Sequence, residues 1–174
     1  MAKSSLRGRE WEGLSPSLHE RVNELKTKIY AAYGSNMNLE QMASRCPAAK
    51  VIGTGILEDY KLTFRGLYKG VANIEPCEGK EVPIVLWEIT EYCEVALDMY
   101  EGYPRLYEKR DVKVKIGTKI KKAMAYIMTN EYKNKPSLPT GYYLGVINQG
   151  YLDNGLDLEP LKEAHLECIK EVNQ

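Results

Sequence analysis

The chain is poor in histidine, with only His19 and His165, and it carries no net charge, since 24 Lys and Arg offset 24 Asp and Glu over 174 residues. A balanced charge sets up no field toward nucleic acid or an anionic membrane surface, and no basic stripe interleaved with stacking aromatics is present. The densest basic group, Lys113, Lys115, Lys119, Lys121 and Lys122, alternates with Val112, Val114, Ile116 and Ile120, the pattern of a hairpin with one wet face. Long apolar runs are also missing. The longest apolar-plus-proline stretch, Val82 to Trp87, is far short of a membrane span, and the basic, polar start from Met1 to Glu10 has no apolar region after it, which argues against a secretory signal. The four cysteines, Cys46, Cys77, Cys93 and Cys168, lack the paired spacing that seeds a zinc site, and two histidines add little, so no metal is expected. Free thiols in a reduced, cytoplasmic protein fit this usage.

Familiar cofactor and nucleophile fingerprints are absent too. Gly145 to Gly150 has the outer spacing of a phosphate loop, but Tyr151 follows where lysine is required, and no Gly-x-Gly-x-x-Gly occurs, so no nucleotide cofactor is expected. Ser35 lacks the Gly-x-Ser-x-Gly elbow of a hydrolase nucleophile and is read as a binding residue.

What the chain does have is Tyr33-Gly34-Ser35-Asn36-Met37, placed after the apolar stretch Ile29 to Ala32 and before a helical stretch. This reads as strand, tight turn, helix start. Backbone N–H groups there lack intrahelical partners and can cradle a carboxylate or phosphate; the same residues also suit an ordinary turn and cap. Far downstream, Leu97 to Tyr107 reads as a helix stopping at Gly102, with the chain extended again near Tyr107. Glu101 then sits on the last turn, where the negative end of the helix dipole disfavours its charged form, and burial beside aromatic rings would lift its pKa further. Such a carboxyl can trade protons near neutrality.

Together these segments resemble the gamma-glutamylcyclotransferase family, including its gamma-glutamylamine and avirulence-induced plant branches. Tyr33 to Met37 is similar to the family's substrate loop, Ala72-Asn73-Ile74-Glu75-Pro76 to its central strand, and Leu97 to Tyr107 to its catalytic segment. Tyr126 to Asn130, Tyr143, Ile147, Gly150 and Asn154-Gly155-Leu156 follow in the family's order, so the resemblance covers about Lys28 to Leu156. It implies a cofactor-independent enzyme in which the alpha-amine of a gamma-glutamyl group attacks its own side-chain carbonyl, giving 5-oxoproline and a free amino acid or amine. Glu101 is then the general acid and base. Substrate is bound by Tyr33, Gly34, Ser35, Asn36 and Met37 with Tyr107 and Tyr143; Tyr107 is expected to hydrogen-bond substrate or Glu101. One departure is Ile84, where the family usually has a glycine ahead of the strand aromatic, here Trp87; a branched side chain there is expected to narrow the pocket or shift the strand. The alternative from another class is a small-molecule binding protein that keeps the pocket without turnover. The implied partner is a small substrate, with no nucleic acid or membrane, and the oligomeric state is left open.

The remaining pattern organises the chain. Ser15-Pro16 caps a short helix carrying Leu18, Val22 and Leu25, making residues 1–27 a helical extension before a single domain over 28–174. Asn38 and Gln41 imitate a capping box for a helix ending near Cys46. Strand-like pieces follow at Val51-Ile52, Ile56-Leu57, Leu62 to Phe64, Val71 to Ile74 and Val82 to Ile89, separated by Gly, Asp or Pro. A helix from Thr90 to Gly102 precedes a hairpin of Tyr107 to Ile116 and Lys119 to Met128, and Asp157 caps a last helix with Leu158, Leu161, His165, Cys168 and Val172 on one face. The order predicts an α/β fold of the α+β type, a mixed, curled or closed barrel-like sheet surrounded by helices.

Overall fold

The computed structural model describes residues 26–174. The helix expected within residues 1–27 lies, apart from its junction to the first strand, outside the described residues. Five strands form the body: β1 (Thr27–Ala32), β2 (Lys50–Arg65), β3 (Val71–Thr90), β4 (Tyr107–Ile116) and β5 (Lys119–Met128). They close into a barrel in the order β1-β3-β2-β4-β5; the neighbours in that order are antiparallel, and β5 returns parallel to β1 at Tyr30 and Met124. Among the described residues four α-helices surround the sheet: α1 (Leu39–Arg45), α2 (Glu91–Glu101), α3 (Gly141–Asp153) and α4 (Glu159–Val172).

The pieces expected as separate strands between Val51 and Ile89 fuse into two long ones. Gly53 and Asp59 do not end β2; they sit at register shifts against β3, between Val51 and Gly53 and between Glu58 and Tyr60. Bulges of this kind bend and twist a ribbon while keeping it paired, which lets two strands of 16 and 20 residues curl into a barrel wall. The β4–β5 hairpin forms as expected, with Val112 and Val114 buried and the lysines exposed, but Ile120, expected on the apolar side, is exposed along with its lysine neighbours.

Helix ends follow local chemistry. The Asn38 side chain accepts from Gln41 N–H at 2.9 Å and starts α1; the reciprocal half of a capping box is missing because the Gln41 side chain binds Arg45 instead. Thr90 caps α2 by accepting from Cys93 N–H at 3.3 Å. At the other end Gly102 takes the left-handed conformation, φ 64° and ψ 34°, while Tyr103 N–H reaches Asp98 O at 3.0 Å and Gly102 N–H reaches Met99 O at 3.4 Å. This Schellman closure makes Glu101 the final helical residue. Asp157 accepts from Glu159 N–H at 3.0 Å, as expected, and α4 buries Leu161, Ala164 and Cys168, while Val172 at its end is exposed. His165 lies edge-on to Phe64 with ring centroids 6.5 Å apart, a packing role.

Close contacts set α4 and α3 in place. Arg65, only 5% exposed, donates to Glu75 on β3 at 2.8 Å and to Glu171 on α4, clasping the C-terminal helix to the sheet. On α3, Gly150 presses on the turn before α1: a Cβ there would lie 2.7 Å from Asn38 N and 2.8 Å from the Met37 carbonyl carbon. Only glycine allows backbones to approach so closely. That contact sets α3, and Tyr143 on it, against the Tyr33 to Met37 turn.

Candidate active site

β1 runs into the barrel wall and ends at Ala32, and the chain then turns through a single 3-10 turn, Ser35–Met37, into α1. Met37 N–H closes on Gly34 O at 3.0 Å and Asn38 N–H on Ser35 O at 3.1 Å; among the described residues Ser35 and Asn36 N–H have no partner. Trp87 on β3 donates its indole N–H to Asn36 O at 3.0 Å and pins the turn from below. Across from it, α2 is latched to the hairpin. Lys109 on β4 donates to Glu94 at 2.7 Å and to Asp98 at 2.8 Å, and the Tyr126 hydroxyl on β5 donates to the second Asp98 oxygen at 2.6 Å. Glu94 and Asp98 share a helix face, so the latch fixes the rotation of α2 and aims Glu101, three residues on, at the turn.

Between them lies a cavity of about 200 Å³, lined by Tyr33, Gly34, Ser35 and Asn36 from the turn, Glu101 and Tyr100 from α2, and Tyr30, Val71, Ala72, Leu106, Tyr107, Tyr126 and Tyr143 from the surrounding elements. That is below the usual range for drug-sized ligands and suits a small one. Asn36 Nδ2 donates to Glu101 Oε1 at 2.7 Å. Burial among the tyrosine rings pushes the Glu101 carboxyl up to about 7, against the opposing pull of the Arg45 guanidinium and the Asn36 hydrogen bond. Its side chain is nevertheless partly reached from the cavity, so the desolvated carboxyl remains open to a ligand.

The residues singled out in the sequence mostly converge here. Tyr33, Gly34, Ser35, Asn36, Glu101, Tyr107 and Tyr143 all line the cavity. Met37 does not: its side chain is fully buried, and its backbone lies against Gly150 on α3. The Tyr107 hydroxyl donates to Ala72 O and not to Glu101, one of the two partners expected for it beside substrate. Tyr33 likewise donates to Tyr126 O. Tyr143, in contrast, accepts from Ala72 N–H at 3.1 Å and Tyr30 accepts from Asn36 Nδ2 at 2.8 Å, which leaves both with a hydroxyl proton to give. Ile84 is fully buried in the core and is not among the residues that line the cavity.

Arg45 and Tyr30 were not singled out in the sequence, and Tyr100 and Tyr126 entered there only within matched segments, with no role in the site. Arg45 donates to Asn36 Oδ1 at 2.6 Å and stacks over the Tyr100 ring at 3.6 Å. The only local signal for it is a cation in the last turn of a helix that follows a candidate anion loop.

The closed mixed barrel thus sets a buried carboxyl, its pKa raised to about 7, opposite a turn with free backbone N–H groups, across a cavity of small-molecule size. A family model described as "Gamma-glutamyl cyclotransferase, AIG2-like" matches residues 30–145. Curated gamma-glutamylcyclotransferases from Homo sapiens and Bos taurus are each 33% identical; the first alignment covers 75% of this chain and 73% of the human protein, the second 83% of this chain and 81% of the bovine one. A solved structure named gamma-glutamyl cyclotransferase superposes with a TM-score of 0.71 at 32% identity, over 80% of this chain and 86% of that one. The chain belongs to the gamma-glutamylcyclotransferase family and is an enzyme of cyclotransferase type.

Proposed function

We propose that the protein converts a gamma-glutamyl amino acid or gamma-glutamylamine to 5-oxoproline plus the free amino acid or amine, with Glu101 as general acid and base. The observation that carries this reading is the Glu101 carboxyl, held by Asn36 at 2.7 Å on the cavity wall and tuned to about 7. The substrate alpha-ammonium gives a proton to ionised Glu101; the freed amine forms a C–N bond to its own gamma-carbonyl carbon, and the original C–N bond breaks as Glu101 returns the proton to the departing nitrogen; Glu101 then relays the ring nitrogen's second proton to the released amine, which leaves as an ammonium and restores the carboxylate. Both reacting groups belong to one substrate, so no water or cofactor is consumed. The site's main work is holding the glutamyl chain bent with the amine against the carbonyl carbon; because the reaction is already intramolecular, what the site adds is the freezing of the chain's internal rotations in that near-attack geometry.

The free N–H groups of Ser35 and Asn36 hold the alpha-carboxylate, and the hydroxyls of Tyr30 and Tyr143 steady the developing oxyanion or the amine. Tyr33 and Tyr107, with their protons engaged by backbone carbonyls, shape the wall. Cys46, Cys93 and Cys168 are buried and unpaired, which suits a reducing cytoplasm; no described helix is long and apolar enough to cross a membrane. Incubation with a panel of gamma-glutamyl amino acids and amines, following 5-oxoproline, tests the reading and identifies the leaving group. Product from one branch is the expected result; binding across the panel without product would overturn it.

A further inference from the structure

Arg45 reaches the reaction without reaching the cavity. Its guanidinium stacks on Tyr100, donates to Gln41 and, at 3.4 Å, to Ser35 Oγ, and places Nη1 2.6 Å from Asn36 Oδ1. We propose that Arg45 is a positioning residue that locks the orientation of the Asn36 amide and thereby decides which Glu101 oxygen carries the transferable proton. This rests on the reading of Glu101 as acid and base given above.

The reasoning is one of donors and acceptors. A guanidinium only donates, so the amide oxygen of Asn36 must face Arg45 and the NH2 must face away. Its two hydrogens are then used on Glu101 Oε1 at 2.7 Å and on the Tyr30 hydroxyl at 2.8 Å. Rotating the amide by half a turn would set NH2 against guanidinium and oxygen against carboxylate, two repulsive contacts in a desolvated pocket. With Oε1 occupied by a fixed N–H, Oε2 is the oxygen free to accept and return the proton. Around Glu101 stand Arg45 from α1, Tyr30 from β1, Tyr33 from the turn, Tyr107 from β4, Tyr126 from β5 and Tyr143 from α3. All these tyrosines are pushed up by burial, as is Cys46 beyond α1, so they stay neutral through the working range. Arg45 is thus the charge that acts on Glu101 among the described residues.

The test compares wild type with Arg45→Lys, Arg45→Gln and Arg45→Met by 13C NMR titration of the Glu101 carboxyl in the ligand-free protein and by the pH profile of kcat/KM. Lysine donates and cannot accept, so it should keep the Glu101 midpoint within about half a pH unit of wild type. Glutamine and methionine both remove the charge that favours ionised Glu101; glutamine also permits the turned amide and methionine leaves the amide oxygen unpaired, so both should raise the midpoint by about one pH unit or more. Their loss of kcat/KM should be about tenfold greater at pH 6 than at pH 9. A wild-type midpoint in all three, or equal displacement in Lys and Met, would overturn the proposal. If Met does not fold, the Lys and Gln pair still decides. The carboxyl titration needs no turnover: a displaced midpoint without 5-oxoproline would defeat the proposed reaction and keep the Arg45 inference, while turnover with an unmoved midpoint would do the reverse.

Discussion

Replacing Glu101 with Gln should lower kcat by on the order of 10²–10⁴-fold while the Kd for a gamma-glutamyl ligand stays within about threefold. The amide has the size of the carboxyl and can still accept from Asn36, but it cannot take the ammonium proton or return it to the leaving nitrogen. Steady-state turnover with calorimetric binding separates the two quantities; normal turnover in the variant would remove Glu101 from the chemistry. The same variant has a stability signature of definite sign. A carboxyl whose folded pKa is about 7 against an ordinary 4.5 binds its proton more tightly in the native state, so its contribution is fully present below about 4.5 and is lost as pH rises through 7. The difference is worth about 3 kcal/mol at most. Glutamine does not titrate, so E101Q should gain stability relative to wild type between pH 5 and pH 8, measured as the difference in Tm at the two pH values.

The second large effect concerns the clasp on α4. Truncating Arg65 to Ala should destabilise the protein by about 3 kcal/mol, the low end for breaking a buried ion pair because Glu75 and Glu171 keep some contact with water. For a domain of this size that is a fall in Tm of about 10 °C. Neutralising all three groups together, as Arg65→Met with Glu75→Gln and Glu171→Gln, should cost less than R65A alone, since no carboxylate is then left without its cation. Urea unfolding of the two proteins checks this; a loss below about 1 kcal/mol in R65A would show the clasp to be worth no more than a surface pair.

How far the site could be read from the chain depends on whether its causes are local. The α2 helix was legible end to end, because Thr90 and Gly102 act within their own turns, and with it the position of Glu101. The hairpin across Gly117 and Thr118 was legible for the same reason. The two long strands were not: Gly53 and Asp59 punctuate the sequence like strand ends, and only pairing with β3 makes them bulges. Helix α3 was hidden by Gly141, Gly145 and Gly150, poor helix formers, of which Gly150 is required by the backbone of another element. Arg45 and Tyr30 join the site through contacts with Asn36 that no spacing announces, and Met37 fits the loop pattern yet packs into the core.

The pH dependence of kcat/KM for 5-oxoproline formation by the wild-type enzyme puts the central claim to the most direct test. A base on the free enzyme with a pKa of about 7 must be ionised before the ammonium can be relieved of its proton, so activity should climb through an acid limb centred near pH 7. A limb centred near 4.5, or no acid limb at all, would mean that the carboxyl facing the turn is not the group that moves the proton.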